Sequence, residues 1–106
     1  MTKDTEKAFK ILYCEYRKRR KSGMSKSSAV CFEDGALTSV NAFSKWDPAD
    51  INFAMNELKK NGFIRMNILG DIQLNESGIE YMENKPKEFF REVSSLFDLS
   101  TILGWF

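Results

Sequence analysis

The side chains that could do chemistry in this chain are few. They are two thiols (Cys14 and Cys31), one adjacent carboxylate pair (Glu33-Asp34) and an unbroken run of cations, Arg17-Lys18-Arg19-Arg20-Lys21. There is no histidine, so neither thiol nor any serine can be activated by an imidazole, and metal sites that need one are excluded. Two cysteines are too few for a disulfide scaffold and read as free thiols in a reducing, cytoplasmic setting. Glu33-Asp34 is followed by Gly35 and reads as a solvated helix end. The six glycines form neither a phosphate loop nor a dinucleotide fingerprint. No catalytic residue, metal or cofactor is expected, and no enzymatic reaction.

The basic run supports a different chemistry, contact with phosphate. Sixteen Lys and Arg against fifteen Asp and Glu leave the 106-residue chain at +1, so no global field draws it to nucleic acid. That balance conceals a cancellation. Met1 to Ser28 carries nine cations against three anions, a local +6, whereas Leu37 to Asn84 carries four cations against seven anions, a local −3. Cations in the last turn of a helix also complement its dipole, so the run has a purely structural reading beside the phosphate-binding one.

The elements that would position these groups are mostly helical. Thr5 is placed to cap a first helix with Phe9, Leu12, Tyr13 and Tyr16 on one face. Ala8 and Ile11 widen that face, and Ser22-Gly23 ends the helix. Ser25-Lys26-Ser27-Ser28 suggests a helix entry before Ala29, Val30, Cys31 and Phe32, ending at Gly35, and Thr38 a cap for a short helix with Val40, Ala42 and Phe43. Asp47-Pro48 gives a cap followed by proline at the first helical position. Ile51, Ala54, Met55 and Leu58 then fall on one face, and Asn61-Gly62 stops the helix. Phe63 to Ile68 and Ile72 to Leu74 read as a hairpin about Leu69-Gly70-Asp71. Asn75-Glu76-Ser77-Gly78 opens a further helix with Ile79, Tyr81 and Met82, and Pro86 precedes a last helical segment. The expected class is mainly α with a small β-hairpin.

Leu58-Lys59-Lys60-Asn61-Gly62-Phe63-Ile64, a hairpin, and then Leu74-Asn75-Glu76-Ser77-Gly78 resemble the winged helix-turn-helix superfamily. There, such a Gly-aromatic pattern ends the recognition helix, the hairpin is the wing, and Leu-Thr-x-x-Gly leaves the sheet; Asn75 stands where threonine is usual. The resemblance covers roughly residues 5–84 and is best over 47–82. On Ser27-Ser28-Ala29, the block from Trp46 to Ile64 and the run from Gly78 to Asn84, the chain is also loosely similar to small winged-helix proteins of Gram-positive bacteria and their prophages. That second likeness names no activity.

The resemblance implies a winged-helix domain over 1–84, with residues 48–61 as the recognition helix entering a major groove of duplex DNA, and a role in transcription regulation. Spacing by 100° then turns Ala49, Phe53, Asn56 and Lys60 outward, flanked by Asn52, Glu57 and Lys59. Asn52 and Asn56 would read adenine edges, Lys59 and Lys60 guanine or phosphate. Arg65 or Asn67 on the wing would reach the backbone, with Arg17, Lys18, Arg19, Arg20, Lys21 and Lys26 on phosphates. Phe53, in the middle of that face, and the acidic balance of residues 37–84 favour the alternative, an interaction module that binds a protein partner through the Phe53 face or the C-terminal helix.

Residues 85–106 read as an amphipathic C-terminal helix carrying Phe89, Phe90, Val93, Leu96 and Phe97, followed by Leu99, Ile102, Leu103, Trp105 and Phe106. It either folds back onto the first helix and completes the core or forms a homo-oligomer interface. No apolar run approaches the ~20 residues of a membrane span.

Overall fold

The computed structural model describes residues 1–97, which form a mainly helical protein with a small three-stranded antiparallel sheet. Expected interface residues Ile102, Leu103, Trp105 and Phe106, with Leu99, lie outside the described residues.

Helix α1 (Lys3–Lys21) is the central strut. Its cap is Thr2, not Thr5: the Thr5 backbone N–H donates to Thr2 Oγ1 at 3.1 Å. Thr5 sits inside the first turn, fully buried, with its hydroxyl 3.0 Å from that of Thr2. Ala8, Phe9, Ile11, Leu12, Tyr13, Cys14 and Tyr16 are all buried, so α1 packs on more than one side, as its wide apolar face required.

A helix over 25–35 does not form. α2 (Lys26–Ala29) is a single turn capped by Ser25, and Cys31–Phe32 is a strand, β1. The reason is long-range: Cys31 pairs with Gln73 and Phe32 with Ile72, and this places Phe32, fully buried, in the core. The Thr38-capped helix is likewise replaced, by two 3-10 turns, Ala36–Ser39 and Asn41–Phe43. The extended Val40 (φ −71°, ψ 123°) separates them.

α3 (Pro48–Lys60) follows its signals closely. Asp47 Oδ1 accepts from the Ala49 N–H at 2.8 Å, and Ile51, Ala54, Met55 and Leu58 are the buried face. At its end Gly62 takes φ 79°. The N–H groups of Gly62 and Phe63 then return to the carbonyls of Lys59 and Leu58 at 3.0 Å each, satisfying the last turn. β2 (Ile64–Met66) and β3 (Ile72–Leu74) pair Ile64 with Leu74, Arg65 with Gln73 and Met66 with Ile72, giving the sheet order β1-β3-β2.

α4 (Glu76–Glu83) starts after Asn75, whose side chain donates to the Gly62 carbonyl at 3.1 Å. Three rings join the elements: Phe9 of α1 stacks on Phe63 (5.0 Å) and on Tyr81 of α4 (5.6 Å), and Phe63 and Tyr81 lie 4.8 Å apart. These rings cover the corner from which α3 leads into the hairpin.

The tail splits into a 3-10 turn, Lys87–Phe90, and a single helical turn, α5 (Arg91–Ser94). It folds back on α1. Phe90 and Val93 are buried in the same core as the preceding helices, Phe89 and Phe97 are half-buried against it, and Leu96 is exposed. Tyr13 and Phe90 stack at 5.6 Å. The buried Lys10 holds the tail, with its Nζ 4.2 Å from the Phe89 ring, 3.5 Å from Glu6 and 3.7 Å from Glu92. Among the described residues no helix is long and apolar enough to cross a membrane.

Candidate nucleic-acid interface

With one face of α3 buried, its opposite face carries Asn52, Phe53, Asn56, Lys59 and Lys60, every one exposed. This is the arrangement that helical spacing implied. Phe53, 60% exposed, stands in the middle as a large ring with no cover. Asn56 Nδ2 donates one N–H to the Asn52 carbonyl at 3.0 Å, leaving its second N–H and its Oδ1 for a ligand. Lys59 and Lys60 occupy the last turn, beside the negative end of the helix dipole.

Glu57 borders this face. Its Oε1 accepts from the Thr2 backbone N–H at 2.9 Å. That bond, with one from the Thr5 side chain, holds its carboxyl below the usual range and keeps it ionised. Glu57 therefore pins the start of α1 to the second half of α3. The basic run lies at the other end of α1, about 22 to 28 Å further along the helix at roughly 1.5 Å per residue.

There the cations meet other elements. Arg17 approaches Glu83 of α4 at 3.9 Å. Arg19 donates through Nη1 to the Cys31 carbonyl at 2.7 Å, lies 4.0 Å from the Phe32 ring centroid and meets Glu15 at 4.0 Å. Arg20 donates to the Met24 carbonyl at 3.1 Å. Lys18 and Lys21 are exposed. Lys26 pairs with Glu76, whose hydrogen bond raises the lysine pKa.

Arg65 belongs with this second group. On the outer face of the sheet Cys31, Gln73 and Arg65 stand side by side in register, all exposed. Arg65 and Lys26 line one open groove of about 640 Å³ with Ser27, Asn75 and Ser77. The expected site residues thus form two clusters: Asn52, Asn56, Lys59 and Lys60 on α3, and Arg19, Lys26 and Arg65 around the sheet.

The turn at Leu69-Gly70-Asp71 forms as the sequence suggested, but the exposure of the apolar side chains at its tip was missed by sequence reasoning. Ile68 and Leu69 project into solvent, 101% and 73% exposed. The backbone beneath them is tightly bonded. Asn67 Oδ1 accepts from the N–H groups of Leu69 (2.9 Å) and Asp71 (3.0 Å), and Asn67 Nδ2 donates to Asp71 Oδ2 at 3.0 Å. The Asp34 N–H donates to Asp71 Oδ1 at 2.9 Å, tying the tip to the loop after β1. These donors, Asn67 first, hold the Asp71 carboxyl below the usual range. The available signal was an Asn and an Asp four residues apart around a glycine, a turn whose side chains capture backbone N–H groups.

Burial pushes the Cys14 thiol and the Tyr13 hydroxyl up to about 12 each, whereas Cys31 is exposed, its Sγ donating to the Ser27 carbonyl at 3.4 Å. Among the described residues no group of Cys, Asp and Glu side chains is placed to hold a metal ion. Comparison with protein-family models, with curated proteins and with solved structures finds no match to this chain.

Proposed function

We propose that the protein is a winged-helix module that binds duplex DNA through the outward face of α3 and acts as a transcription regulator. The order helix, hairpin, helix supports the first part. The observation that carries the second is the α3 face itself: Asn52, Asn56, Lys59 and Lys60 are exposed together while the opposite face holds the core. In a major groove the amides offer the paired donor and acceptor that an adenine edge requires, and the lysines meet guanine or phosphate. Arg65, on the neighbouring hairpin, supplies a phosphate contact from the wing. The chemistry needs no cofactor.

One observation favours a second reading. Phe53, 60% exposed at the centre of the same face, is the type of anchor a protein partner buries. A titration of random duplex against salt separates the two. DNA binding requires measurable affinity at low salt that falls steeply with ionic strength. Absence of binding at low salt would leave the protein-partner reading.

A further inference from the structure

Two patches of opposite sign lie side by side on the molecule. One is the hairpin tip: Ile68 and Leu69 exposed on a bonded turn, with Glu33, Asp34 and Asp71 around its base. The other is the end of α1 with Lys18, Arg19, Arg20 and Lys21. The chain between them fixes their separation. Arg19 holds the Cys31 carbonyl and Asp71 holds the Asp34 N–H, and a span of three residues covers no more than about 11 Å.

A face carrying an acidic apolar projection next to a basic end is self-complementary under a two-fold rotation. We propose that a second copy of this chain docks here, the tip of each protomer on the basic end of α1 of the other. Isologous pairing of this kind is the commonest closed symmetry, and each contact occurs twice. The basic end also offers a seat of mixed character: an open groove of about 570 Å³ between Arg19, Met24, Cys31 and Ala36, with Glu33 and two serines on its wall, in which Met24 is 37% exposed. Exposed Ile68 and Leu69 each bury apolar surface there, and the charges set the orientation and make the pairing sensitive to salt. The tip bonds are formed within the single chain, so little ordering remains to be done on association. This surface uses none of the exposed α3 residues and none of the C-terminal tail, and the inference does not rest on DNA binding.

Sedimentation velocity of the full chain across concentration and salt is the test. The expected result is a dimer at low salt that dissociates as salt rises. Ile68→Ser/Leu69→Ser should leave a monomer, as should Lys18→Glu/Lys21→Glu. Ile68 and Leu69 are exposed, so the thermal midpoint of Ile68→Ser/Leu69→Ser should match the parent, whereas the lysine reversals, at the negative end of the α1 dipole, should melt somewhat lower while remaining folded. Adding Glu33→Lys to the lysine reversals should restore dimerisation. Three results would overturn the proposal: a parent chain that stays monomeric at low salt, a dimer that survives Ile68→Ser/Leu69→Ser, or a dimer lost only on removal of residues 98–106.

Discussion

Gly78 lies so close to the backbone of Phe63 that a Cβ built on it would stand 2.6 Å from the Phe63 carbonyl oxygen. That approach lets α4 close over the corner where Phe63 leaves α3, and it gives a steric reason for a glycine early in the helix. Substituting Ala for Gly in an open helix stabilises by about 1 kcal/mol. Here the obstructing atom belongs to the main chain and cannot swing aside. Gly78→Ala should therefore destabilise the protein, by about 2 kcal/mol, measured by urea unfolding. A raised midpoint would show that α4 does not pack as described.

Glu57 and Asp71 both have carboxyls held below their ordinary values, Glu57 chiefly by the Thr2 N–H and Asp71 chiefly by Asn67. In each case the folded state favours the ionised form. The stabilisation is complete above the ordinary carboxylate range, near pH ~4 to 4.5, and is lost as pH falls through the depressed values. Melting temperature should be level between about pH 5 and pH 9 and fall below about pH 5. Glu57→Gln and Asp71→Asn should each melt lower than the parent at neutral pH and lose part of the acid dependence. Parallel curves for parent and variants would contradict this.

Cys14 and Tyr13 present the opposite sign. Both are neutral in the folded state, with pKa values raised to about 12 from 9.0 and 10.0. Their contribution is complete below the unfolded values and is lost as pH rises from about 9 toward 12. Because the thiolate is the reactive form, a thiol reagent at pH 8 should modify Cys31 alone in the native chain and both cysteines after denaturation. Rapid modification of both in the native state would contradict the burial of Cys14.

The parts of this fold legible in the sequence were those governed by local bonding. Asp47-Pro48 and the Ile51, Ala54, Met55, Leu58 stripe specified α3, and 100° spacing correctly turned Ala49, Phe53, Asn56 and Lys60 outward, with Asn52 and Lys59 exposed beside them. What was not legible depended on distant partners. Cys31–Phe32 has no strand pattern of its own and becomes one by pairing with Gln73 and Ile72. Thr5 has the chemistry of a cap, but Thr2 takes that role and Thr5 is drawn inside. At the hairpin, apolar alternation runs on through Ile68. The Asn67 side chain captures two N–H groups and ends β2 at Met66, so Ile68 is exposed where alternation would bury it. The basic run was plain to see, but its distance from Glu57 on α3 followed only once Thr2 met Glu57.

Lys10 is 6% exposed, between Glu6, Glu92 and the Phe89 ring. Its stem packs as an apolar chain while its ammonium satisfies the two carboxylates. Lys10→Ala should cost about 2 kcal/mol through lost packing and charge pairing and should loosen residues 87–94 first. Limited trypsin digestion would then cut after Arg91 faster than in the parent. Unchanged cleavage would mean that Lys10 does not hold the tail.

The reading of α3 as a DNA-contacting helix is tested most directly by salt-dependent anisotropy of a fluorescent duplex with Lys59→Ala/Lys60→Ala and with Asn52→Ala/Asn56→Ala. All four side chains are exposed, so folding should be retained. The lysine pair should weaken binding to every sequence and reduce the slope of log affinity against log salt by roughly one for each lysine. The asparagine pair should leave the slope unchanged and reduce discrimination between sequences. Affinity and slope unaltered in both variants would contradict it.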